Sequence, residues 1–99
     1  MNPEEISIQQ KPVLLDFFAE WCGTCQTMMP VLESVKKKLK ENLHILEIDI
    51  DKNPTVASYY RVKGVPTFIL FKKGKELWRR SGLISGKELE EQIRKHDAV

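Results

Sequence analysis

Trp21-Cys22-Gly23-Thr24-Cys25 contains both cysteines of the chain, and it follows directly on Val13-Leu14-Leu15-Asp16-Phe17-Phe18, which reads as a strand buried on both faces. Beyond it, Met28, Met29, Leu32, Val35 and Leu39 recur at helical spacing, which predicts a helix from about Cys22 to about Glu41. A strand feeding a helix through Cys-x-x-Cys places one sulfur at a helix N-terminus. There, unpaired N–H groups and the helix dipole favour the thiolate, the form that attacks disulfides. The two cysteines therefore read as a redox pair. Leu43 to Ile50 alternates as a second strand, so strand, helix and strand form a right-handed βαβ unit.

The remaining segments follow by turn and cap chemistry. Asn2-Pro3-Glu4-Glu5 opens a short helix ending near Gln10, with Asn2 as cap. Asn53-Pro54 opens another, to about Tyr60, by the same cap-then-proline logic. Thr67 to Phe71 is a strand, Lys73-Gly74 a hairpin turn, and Lys75 to Arg80 the returning strand. Ser85 and Glu88 form a capping box for a last helix whose apolar face is Leu89 and Ile93. Pro30 falls inside the long helix and is expected to kink it. Met28 and Met29 read as core, and Lys36-Lys37-Lys38 with Lys40 as a solvated face.

Composition narrows the function. Ninety-nine residues suffice for one domain, 1–99, without internal repeats. Sixteen basic and fourteen acidic residues, net +2, are scattered along the chain, which argues against nucleic acid or an anionic membrane as partner. No apolar run is long enough to cross a bilayer, and the acidic start Met1-Asn2-Pro3-Glu4-Glu5 is unlike a secretory signal. A cytoplasmic protein is expected, where two cysteines mean chemistry and not a staple. His44 and His96 lack metal spacing with the cysteines, so no metal is expected. Asp49 and Asp51 read as solvating a strand end.

Over Val13 to about Lys95 the chain resembles the thioredoxins. The resemblance is carried by Asp16-Phe17-Phe18-Ala19-Glu20-Trp21-Cys22-Gly23-Thr24-Cys25, by Gly64-Val65-Pro66-Thr67-Phe68, and by Gly74 and Gly82, in that order. It implies an α/β thioredoxin fold and a protein-disulfide reductase or electron carrier. Cys22 would be the nucleophile and more exposed sulfur, and Cys25 the resolving thiol. The oxidised product is a Cys22–Cys25 disulfide. No cofactor is bound in such proteins; NADPH and FAD belong to a partner thioredoxin reductase, and disulfide-containing proteins are the clients. In the family the Val65–Pro66 bond is cis and stands beside the disulfide, and Trp21, Gly23, Thr24, Val65, Pro66 and Gly82 would surround Cys22 as a docking surface. A disulfide isomerase or oxidase on the same fold, or a binding module with incidental cysteines, are the alternatives.

Asp16 fits this chemistry by a separate argument: an ionised carboxylate in an apolar strand is unfavourable, so its pKa should rise, as a base for the resolving thiol requires. Three departures from the family pattern stand out. Thr24 replaces the usual proline; it restores a backbone N–H that can point at the Cys22 sulfur, which should make the pair more oxidising. Glu47 and Gln26 align with positions where thioredoxins often carry lysine, which should raise the Asp16 pKa further. Only about ten residues precede the first strand, too few for the usual opening strand, helix and crossover. The expectation is thus a mixed sheet of about four strands, with the first edge strand absent and a short helix in its place. The edge of the Leu43–Ile50 strand would then be covered by the N-terminal segment or left to pair with another chain; a monomer is expected.

Overall fold

The computed structural model describes residues 2–96 and contains Pro3–Ser7 (α1), Val13–Phe18 (β1), Gly23–Leu39 (α2), His44–Asp49 (β2), Pro54–Tyr59 (α3), Thr67–Lys72 (β3), Lys75–Ser81 (β4) and Gly86–Lys95 (α4). The four strands form one sheet in the order β2-β1-β3-β4. β1 runs parallel to β2 and antiparallel to β3, and β3 and β4 make a hairpin. The Lys73-Gly74 turn of that hairpin has both residues at positive φ, 52° and 79°, which matches the twist of the strands it joins.

Side chains alternate across each strand, and the alternation divides the core in two. Leu14, Phe68 and Leu70 face Met28, Leu32, Val35 and Leu39 of α2 and Leu89 and Ile93 of α4. Val13, Leu15, Phe17, Ile69 and Phe71 face the opposite way, against Ile6 of α1 and Ala57 and Tyr60 around α3. Asp16 shares the parity of Leu14, so it points to the α2 side of β1. The placement of one carboxyl under the cysteine-bearing helix follows from strand parity alone.

Several expectations change in detail. α1 stops at Ser7 instead of near Gln10, because Ile6 is its one buried residue and the positions three and four further on are glutamines. Its N-terminus is closed by a full capping box, Glu5 N–H to Asn2 Oδ1 at 2.8 Å with Glu5 returning to the Asn2 N–H. The Ser85 cap is only half a box: Ser85 accepts from the Glu88 N–H, but the Glu88 carboxylate turns to Arg80 Nη2 at 2.7 Å. A charged donor is the stronger partner. Asn53 does not cap α3 with its side chain; its amide donates to the Asp49 carbonyl at 3.1 Å. α2 holds Pro30 within it, as the sequence reading places it.

The N-terminal segment does not cover the outer edge of β2. Ile6 packs on the sheet face with Val13, Tyr60 and Phe71, and among the described residues no strand pairs with that edge. α1 also meets the hairpin, where a Cβ on Gly74 would lie 3.1 Å from the Ser7 carbonyl oxygen.

Candidate active site

β1 ends at Phe18, and the chain crosses four residues before α2 starts at Gly23. Cys22 is the N-cap of α2, in extended conformation, and its Sγ accepts the Cys25 N–H at 3.2 Å. A sulfur in that position takes one of the orphan donors of the first turn, which favours negative charge on it. Cys25 lies one turn further along, and the two are joined by a disulfide, with Cα atoms 5.3 Å apart. Thr24 also reaches the sulfur, through its hydroxyl at 3.3 Å and not through its backbone N–H. Since a disulfide sulfur carries no hydrogen, the hydroxyl is the donor in this state.

Exposure does not distinguish the two cysteines as expected, for each is 6% accessible. Their neighbours do. Cys22 has the two donors, whereas Cys25 lines a cavity of about 370 Å³ with Asp16, Phe18, Ala19, Glu20, Gln26, Met29, Leu32 and Glu47. Asp16 is only 5% exposed, and its pKa is pushed up from 3.8 to about 7, first by burial and second by the charge of Glu47. Glu47 is the residue of β2 directly opposite Asp16. Glu20 at the cavity wall pairs with Lys52 at 3.4 Å. Met29 is a correction: Met28 is core, but Met29 is 61% exposed at the cavity lip, because it lies one position off the Met28-Leu32-Val35-Leu39 stripe.

The Val65–Pro66 bond is cis. Val65 packs against the buried cluster of Ala19, Cys22 and Cys25. The Pro66 carbonyl accepts the Gly82 N–H at 2.9 Å, with Gly82 at φ 92°, and the Thr67 hydroxyl bonds to the Gly64 carbonyl at 2.6 Å. The expected docking residues fall into two groups. Val65, Pro66 and Gly82 are connected to one another and to the cysteines, while Gly23 and Thr24 belong to the first turn of α2. Trp21 is 71% exposed and is tied elsewhere, its Nε1–H donating to Asp51 Oδ2 at 2.8 Å.

Asp51 is the site residue that sequence reasoning missed. It sits thirty positions from Trp21, just after β2, and no local pattern signals the contact. Its neighbour Asp49 does not merely solvate the strand end; it is buried, and its Oδ1 accepts the N–H groups of Asp51 and Lys52 at 2.9 and 3.3 Å. That turn aims Asp51 at Trp21. Among the described residues no three His, Cys, Asp or Glu side chains gather as a metal site, and no helix is long and apolar enough to cross a membrane.

A family model described as thioredoxin matches residues 3–95, most of the chain. The chain belongs to the thioredoxin family. It is 48% identical over 90 residues to a thioredoxin of Chlamydia trachomatis, an alignment covering 91% of this chain and 87% of that protein. It is 41% identical over 90 residues to chloroplastic thioredoxin Y of Oryza sativa, covering 91% of this chain and 54% of that protein. The chain thus spans about half the length of the chloroplastic relatives it matches. The crystal structure of thioredoxin NaTrxh from Nicotiana alata superposes with a TM-score of 0.86 at 36% identity, over 95% of this chain and 80% of that one. A thioredoxin fold with a disulfide-forming Cys-x-x-Cys pair supports thiol–disulfide oxidoreductase chemistry at Cys22 and Cys25.

Proposed function

We propose that the chain reduces protein disulfides by dithiol exchange, as one domain over residues 1–99. The observation that carries this reading is the Cys22–Cys25 disulfide at the N-terminus of α2, with Asp16 in the cavity that Cys25 lines. In the reduced protein the Cys22 thiolate attacks one sulfur of a client disulfide. A Cys22–client mixed disulfide forms, and the first client thiolate leaves. Asp16 then takes the proton of Cys25. The Cys25 thiolate attacks Cys22 Sγ, the Cys22–Cys25 bond closes, and the second client thiolate departs with the electron pair. Two electrons pass from the dithiol to the client, which takes up two protons.

Client docking is assigned to Trp21, Gly23, Thr24, Val65, Pro66 and Gly82. Their contribution is backbone and small apolar surface, which suits an extended segment and many clients. The pair is returned to the dithiol by a flavin-containing, NADPH-dependent thioredoxin reductase, the protein acting as a cytoplasmic monomer. One observation favours the oxidase or isomerase reading: the Thr24 hydroxyl at Cys22 Sγ bonds more strongly to a thiolate than to a disulfide, which stabilises the reduced form.

The test is an equilibrium redox titration followed by the fluorescence of Trp21, with Cys22→Ser and Cys25→Ser as companions. A two-electron transition near about −270 mV is expected of a reductant, and one above about −200 mV of an oxidase or isomerase. Cys22→Ser should abolish insulin reduction, and Cys25→Ser should accumulate a mixed disulfide visible by mass spectrometry. Unchanged insulin reduction in both variants would remove the exchange mechanism and leave a binding module.

A further inference from the structure

The face of the sheet beneath α2 carries two carboxyl groups, one buried and one on the exposed edge strand. Asp16 on β1 and Glu47 on β2 are in-register neighbours in a parallel pair, so their side chains leave the sheet on the same side, one strand spacing apart. They differ in solvation: Asp16 is buried, whereas Glu47, on the edge strand, is exposed. Both line the cavity that Cys25 also lines. The other walls bring no countercharge. α2 contributes Cys25, Gln26, Met29 and Leu32, and the segment after β1 contributes Ala19 and Glu20, the latter paired with Lys52. On the other flank of β1 the residue opposite Asp16 is Phe68. Among the described residues no lysine or arginine lines the cavity.

We propose that Glu47 is a positioning residue for the resolving step, its carboxylate at the cavity mouth setting the pH range over which Asp16 can accept the Cys25 proton. The inference rests on the exchange mechanism proposed above. A negative charge beside Asp16 opposes its ionisation, so Asp16 holds its own proton to higher pH and is a stronger base once it has lost it. Burial contributes the larger part of this effect and Glu47 the remainder. The consequence has two signs. Removing the Glu47 charge makes Asp16 available as a base at lower pH, and it makes Asp16 a weaker base at high pH. A side chain that only stabilised β2 would produce neither.

The experiment has two independent readouts on wild type, Glu47→Gln, Glu47→Asp and Glu47→Lys. The first is the titration of the Asp16 carboxyl in the oxidised protein, followed by carbon NMR of the side chain. The second is the pH profile of single-turnover disulfide reduction by the reduced protein, read by fluorescence. Two carboxylates on neighbouring strands, about 5 Å apart at the sheet spacing and screened between surface-like and bulk-water limits, interact by roughly 0.5–2.5 pH units. Glu47→Gln should lower the Asp16 midpoint within that range, Glu47→Lys should lower it further, and Glu47→Asp should leave it near wild type. The acid limb of the rate profile should move with the midpoint, with faster resolution near pH 6 and slower resolution above pH 8. An Asp16 midpoint unmoved in Glu47→Gln and Glu47→Lys overturns the proposal, as does a midpoint that moves while the rate profile stays. A wild-type protein that shows no disulfide exchange refutes the mechanism itself, and the NMR titration still reports whether Glu47 acts on Asp16.

Discussion

Asp16→Asn should stabilise the oxidised protein at neutral and alkaline pH while slowing its chemistry. The native state keeps the Asp16 proton up to about pH 7, whereas an unburied aspartate releases it near 3.8. Between those values the folded chain binds more protons than the unfolded one, so stability falls as pH rises, and the loss is complete above about 7. Each pH unit in that interval is worth about 1.4 kcal/mol, so the ionised Asp16 destabilises the fold by about 4 kcal/mol above pH 7. An amide of the same shape has no charge to desolvate. The assay is urea unfolding of oxidised wild type and Asp16→Asn at pH 4 and pH 8. At pH 4 the two should be alike to within about 1 kcal/mol, and at pH 8 the variant midpoint should exceed wild type by more than about 1 M urea. A gap that does not widen between the two pH values would refute the reasoning, because it would mean that Asp16 titrates alike in the folded and unfolded chains. The same substitution removes the base for Cys25 and should slow resolution by about 100-fold or more.

Thr24→Val, which removes the hydroxyl at Cys22 Sγ and keeps the shape, should make the redox potential more negative by about 30 mV, the equivalent of about 1.4 kcal/mol lost from the reduced form. Thr24→Ser should restore it, and an unchanged potential in Thr24→Val would dismiss the hydroxyl as a determinant. Gly74→Ala should destabilise the fold by about 1–3 kcal/mol, because it combines φ 79° with a Cβ 3.1 Å from the Ser7 carbonyl. Thermal unfolding measures it, and a loss below about 0.5 kcal/mol would mean that α1 moves aside freely.

Much of the site was legible because its logic is local. Cys22 at a helix start, Cys25 one turn on and Asp16 in an apolar strand are each readable within a few residues of chain, and strand parity then places the carboxyl under the helix. The cis Val65–Pro66 bond came with the family resemblance and not from propensity. The differences arise where a second group competes for the same partner or a face of the helix is assigned one step off. Glu88 reads as the partner of its own helix N-terminus, but Arg80 eight residues back takes its carboxylate. Met29 reads as core, but a single helical step turns it to the cavity lip. Thr24 reads as a backbone N–H donor to Cys22, but Cys25 supplies that bond and the Thr24 hydroxyl makes the other.

By itself the sequence determined the order of elements, the apolar faces of β1 and α2, and the presence of a redox pair at a helix N-terminus, since these depend on period, capping and spacing along one stretch of chain. Tertiary structure decided what surrounds that pair. Which strand lies beside β1, and in what register, sets Glu47 opposite Asp16; which turn follows β2 sets Asp51 against Trp21. Such pairings join residues thirty or so positions apart, and strand register and turn geometry select them only when the whole sheet is assembled.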